Sequence, residues 1–94
     1  MNYKVLCWIP IKQKQNGHFR YDDELPFPIQ DGMSLKLKGM DEALLVHASY
    51  WDGEFNRFET DLVDKRENGK VDYWEPTPEQ IKMLIKEGRV KWYD

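Results

Sequence analysis

Few side chains in this 94-residue chain could begin nucleophile–base chemistry: Cys7, Ser34 and Ser49 as nucleophiles, and His18 and His47 as bases. Cys7 sits between Leu6 and Trp8 in an alternating run, where apolar surroundings raise a thiol pKa and leave it inert. His47 stands on the side opposite Leu44 and Val46, and reads as a hydrogen-bonded or half-exposed strand histidine. His18 with Asp22, Asp23 and Glu24 is the best grouping for a divalent ion, since one imidazole and several carboxylates fall close together. Their spacing matches no established metal site, and an acidic run in a loop is normally solvated. Asp52 with Glu54, and Glu59 with Asp61, lie at turn or outward strand positions. Catalytic carboxylates need a desolvated cleft to separate their pKa values, so these pairs read as solvated surface. No Gly-rich phosphate loop, Cys-x-x-Cys, His-Glu-x-x-His, Gly-x-Ser-x-Gly or calcium-loop pattern occurs. The expectation is therefore a protein without enzymatic activity, cofactor or metal.

Binding chemistry has more to work with. Aromatic and basic residues interleave from Tyr3 to Tyr21 through Lys4, Trp8, Lys12, Lys14, His18, Phe19 and Arg20, the composition of a stacking platform for single-stranded nucleic acid. The net charge of −3 argues against a polyanion ligand. Charge is also unevenly spread. Residues 1–20 carry bases and no acids, whereas 21–75 carry fourteen acids against six bases, so an acidic face that mimics nucleic acid toward a basic partner is a further alternative.

These residues must be positioned by a small frame. Hydrophobic residues at 40% and aromatics at 14% exclude a disordered tail, and the length suits one β-rich domain over 1–94. A single cysteine excludes an internal disulfide and favours a cytoplasmic setting, and the N-terminus alternates and meets Pro10 too early for a signal peptide or membrane span. Tyr3, Val5, Cys7, Ile9 and Ile11 occupy alternate positions of a first strand. The stretch from Lys12 to Gln30 reads as a long loop, with Asn16-Gly17 as a turn and a short strand over 17–21 as the alternative. Alternation then predicts strands over 33–38 and 44–50, the Asp52-Gly53 turn, a strand with Phe58, Thr60 and Leu62 inward, and a tight Asn68-Gly69 turn. Thr77-Pro78 with Gln80 is a capping box, Ile81, Leu84 and Ile85 form one helical face, and Gly88 is placed to end the helix. Val90 and Trp92 belong to a last strand.

The fold class expected is α+β: a small twisted antiparallel sheet, or an SH3-like or OB-like barrel, of five to six strands, with one C-terminal helix at about 78–87. The function expected is a non-enzymatic, cytoplasmic protein-interaction module, partnered by another protein or by a second copy in a homodimer, with no membrane. Aromatics that the core does not require mark its surface, so the candidate partner-binding residues are Trp8, Phe19, Arg20, Tyr21, Phe27, Trp51, Phe55 and Trp74.

Overall fold

A computed structural model describes residues 1–87 and 90–93. In chain order they form β1 (Tyr3–Ile11), β2 (Lys14–Leu25), β3 (Ser34–Leu35), β4 (Leu44–Asp52), β5 (Arg57–Val63), β6 (Lys65–Glu67), β7 (Lys70–Asp72), α1 (Pro78–Lys86) and β8 (Val90–Tyr93). Six of the strands make one curled, half-closed sheet in the order β3-β4-β5-β1-β2-β8, and β6 with β7 makes a small second sheet. This is the α+β fold expected, with the helix ahead of a last strand. The sheet is mixed, because β5 runs parallel to β1 while the other neighbouring pairs are antiparallel.

The expected long loop is instead β2, a twelve-residue strand paired with β1 from Tyr3↔Leu25 to Ile11↔Lys14. The chain reverses at Lys12 and Gln13, where the Lys12 N–H donates to the Trp74 carbonyl at 2.8 Å. Asn16-Gly17 is not the hairpin turn; Gly17 lies in the strand beyond a register irregularity. Its missing Cβ has a packing reason, since the Trp92 indole occupies the space that a side chain there would fill.

The sheet has two unlike faces. The inner one gathers Val5, Cys7, Ile9, Phe19, Tyr21, Val46 and Leu62 from the strands. It is covered by Leu84 of α1 and by Ile29, Leu35, Leu37 and Met40 from the segment that carries the chain across to the far edge. The expected strand over 33–38 contracts to two residues because Leu37 and Met40 turn down into this core. The Thr77 hydroxyl accepts from the Gln80 N–H at 3.2 Å and the Gln80 amide oxygen accepts from the Thr77 N–H at 2.8 Å, so the capping box is formed. Asn68 and Gly69 both take positive φ, 51° and 76°, as the tight turn between β6 and β7 requires. The helix-ending role expected of Gly88 lies outside the described residues. Among the described residues no helix is long and apolar enough to cross a membrane.

Candidate functional site

The other face of the sheet is built by the register. Side chains directly opposite one another share a face, so Arg20↔Trp8, Trp8↔Asp61 and Asp61↔His47 place one row across β2, β1, β5 and β4. His18 and Tyr93, paired between β2 and β8, extend the outer face toward the β8 edge.

Near β8 this face fills itself. The Arg20 guanidinium lies 4.7 Å from the Trp8 ring centroid and 5.0 Å from that of Tyr93. His18 packs 4.9 Å from Trp8 and stacks on Tyr93 at 5.9 Å. The His18 pKa is lowered, first by burial and then by the nearby Arg20 charge, which leaves the imidazole neutral at pH 7. His18 Nε2 and Arg20 Nε are buried without a hydrogen-bond partner among the described residues.

Toward β4 the same face is open. A cleft of about 430 Å³ lies between Trp8, His18, Tyr50, Asp61 and Tyr73, with Pro10, Ala48 and Thr60 completing its walls. That volume is at the lower end of the range for small-ligand sites, about 300–1,000 Å³. A β-bulge shapes it. Between His47↔Asp61 and Tyr50↔Glu59, two residues of β4 oppose one of β5, and Ala48 adopts φ 56°. Asp31 Oδ1 accepts the Ala48 N–H at 3.1 Å, and the Thr60 hydroxyl donates to the His47 carbonyl at 3.1 Å, so side chains satisfy the backbone groups that the bulge releases. The extra residue reverses the facing that simple alternation predicts. Tyr50 comes to the outer face, where its hydroxyl donates to Glu59 Oε1 at 3.0 Å, and Trp51 goes to the inner side against Phe58, 5.0 Å between centroids.

Asp61 is the unusual group here. It is half-buried, and no side chain or N–H donates a hydrogen bond to its carboxylate among the described residues. Its pKa is raised above the ordinary carboxylate value by loss of water, an effect that His47 and His18 oppose. His47 itself is engaged elsewhere. Arg66 can only donate, so its Nη1 contact with His47 Nδ1 at 3.1 Å puts the imidazole proton on Nε2. Arg66 also pairs with Asp31 at 3.3 Å.

The residues proposed from sequence divide sharply. Trp8 and Arg20 lie on the outer face. Phe19, Tyr21 and Trp74 are core residues, 2%, 0% and 2% exposed, and offer no ring to a partner. Phe19 and Tyr21 are inward positions of β2 rather than loop residues, and Trp74 is held by its bridge to Ile11 and by its indole N–H, which donates to Glu42. Phe27, Trp51 and Phe55 are exposed but separate from the cleft, Trp51 against Phe58 and Phe55 under the Arg57 guanidinium at 4.7 Å. Tyr50 and Tyr73, which alternation with Leu44 and Val46 and with Val71 would turn inward, are exposed and line the cleft. Asp61, expected on solvated surface, is half-buried there, and Glu59 is 5% exposed between Tyr50 and Arg57. The pleat removes Asp23 from the His18, Asp22, Asp23 and Glu24 grouping, since it lies on the inner face and accepts from the Tyr21 hydroxyl at 3.2 Å, while His18, Asp22 and Glu24 share the outer face strung out along β2. Among the described residues no three His, Cys, Asp or Glu side chains stand close enough to hold a metal ion. Cys7 is fully buried on the inner face, its thiol pushed up to about 12 by burial and by the charges of Asp23 and Asp22.

Comparisons with protein-family models, curated proteins and solved structures find no match to this chain.

Proposed function

We propose that this protein is a cytoplasmic interaction module that recognises another protein through the outer face of its sheet. The observation that carries this reading is the cleft beside Trp8, where aromatic rings and a half-buried carboxylate stand open to solvent on a face that the helix does not cover. None of the lining residues is a serine or cysteine, and the hydroxyl of the lining Thr60 is committed to the His47 carbonyl, which favours binding over acyl transfer. Arg20 and Lys91 share the face with Asp22, Glu59 and Asp61, a balance that suits a protein surface better than a polyanion. Three carboxylates of the acidic segment serve separate structural partners. Asp31 binds Arg66, Glu42 binds Trp74 and Asp52 caps the turn through the Glu54 N–H, which weighs against one continuous nucleic-acid mimic.

Capture of partners from host extract by wild type, by Trp8→Ala/Tyr50→Ala and by Trp51→Ala/Phe55→Ala tests the reading. The outer-face pair should lose the partners that the other pair keeps. Identical capture by both pairs would refute it.

Self-association is a second reading, supported by Ile85 of α1, 55% exposed, which lines an apolar groove with Ile81 and Trp92. A dimer in sedimentation that Ile85→Glu dissociates would support it; a monomer at high concentration would remove it.

A further inference from the structure

We propose that the cleft receives an alkylammonium group, the end of a lysine side chain or its methylated form, with Asp61 as counter-ion and the rings of Trp8, Tyr50 and Tyr73 as walls. The proposal rests on the reading that the outer face recognises a protein, and it names the group that this face would take.

Three observations carry it. The first is the isolation of Asp61. A carboxylate that has lost part of its hydration and gained no donor is restored by an incoming cation, and among the described residues no cation is paired with it. The nearest guanidinium on its row is Arg20, which lies over β2, two strands away, a separation of roughly 10 Å across the sheet. Trp8 and Tyr93 hold it there.

The second is the lining. Tyr50 and Tyr73 line the same cleft as that carboxylate, with Trp8, whose ring already carries Arg20, as a third wall, and aromatic faces attract a weakly hydrated cation through the ring quadrupole. Tyr50 is favourably tuned, because donation of its hydroxyl proton to Glu59 makes the ring richer in electrons. His18, kept neutral by burial and by Arg20, adds a wall without adding a competing charge.

The third is the form of the site. It is open on one side and, at about 430 Å³, has room for a methylated head group with the stem of the side chain that carries it. The bulge at Ala48 builds it. Without the reversal of facing, Tyr50 would point into the inner side and the cleft would lose a wall.

Tetramethylammonium chloride titrated into the full chain, followed by calorimetry against matched sodium chloride, tests the proposal. 3,3-Dimethylbutan-1-ol serves as a neutral ligand of the same shape. Wild type should bind tetramethylammonium saturably and at least tenfold more tightly than the alcohol. Asp61→Asn, which keeps the size of the side chain and removes its charge, should weaken the binding about tenfold or more. Tyr73→Ala, at a half-exposed position whose truncation spares the core, should also weaken it. Absence of saturable binding, equal affinity for the alcohol, or unchanged affinity in Asp61→Asn would each overturn the proposal. If the cation fails to bind while Trp8→Ala/Tyr50→Ala still abolishes partner capture, the ammonium site is wrong and the recognition face stands. If the cation binds while capture is indifferent to that pair, the ammonium site stands and the protein partner is wrong.

Discussion

The two faces of the sheet solve opposite problems with the same residue types. On the inner face, Phe19 and Tyr21 are closed in by α1 and by the segment that crosses to β3, and even polar groups are matched, as the Tyr21 hydroxyl is to Asp23. On the outer face, Trp8, Tyr50 and Tyr73 are left part-exposed around a carboxylate that no described group donates to. Folding alone favours the first arrangement and penalises the second, because a half-buried, unpaired charge loses hydration and gains nothing. The contrast separates residues that hold the molecule together from residues free to do something else, and it assigns the aromatics differently from their spacing in the chain.

The largest effect that can break the contrast is on stability. Phe19→Ala empties a fully enclosed position and should cost about 3–5 kcal/mol in urea unfolding, whereas Phe55→Ala should cost under about 1 kcal/mol. Similar losses in the two variants would show that β2 is not a core strand. A smaller effect, of opposite sign, sharpens the role of the bulge. Ala48 pays for its left-handed backbone, so Ala48→Gly should stabilise by about 1 kcal/mol and leave tetramethylammonium binding intact. Destabilisation would mean that the bulge is absent and that Tyr50 faces inward.

The smallest effect concerns Asp61. Its pKa in the folded chain lies above the ordinary value, so the ionised form is penalised by folding, and the penalty is present in full above the folded pKa. Asp61→Asn should therefore be slightly more stable than wild type at neutral pH, with the gap closing as pH falls through that raised pKa. A variant less stable at neutral pH would show that Asp61 has a stabilising partner and is no vacant counter-ion.

Most of the frame was legible in the chain. Period-two alternation marks β1 and β5, Asn68-Gly69 marks a turn that needs positive φ twice, and Thr77-Pro78 with Gln80 marks the start of α1. The site was much less so, for reasons that lie in individual residues. Gly17 carries the mark of a turn but exists to let Trp92 close over it, and reading it as a turn hid β2 and made Phe19 and Tyr21 look like loop aromatics. The bulge has only a faint trace, the small residues Ala48 and Ser49 within an apolar run, yet it exchanges the faces of Tyr50 and Trp51. Asp61 meets Trp8 only because β5 lies parallel to β1, a pairing between distant segments that no local pattern encodes.

The four tryptophans can distinguish binding at the cleft from binding elsewhere, since each reports from a different place: Trp8 at the cleft, Trp51 beside Phe58, Trp74 against Glu42 and Trp92 over Gly17. Their indole N–H resonances can be followed by NMR while an acetylated trimethyl-lysine amide is added to the full chain. The Trp8 resonance should move saturably while those of Trp51, Trp74 and Trp92 stay in place. A stationary Trp8 signal, or movement led by any of the other three, would contradict it.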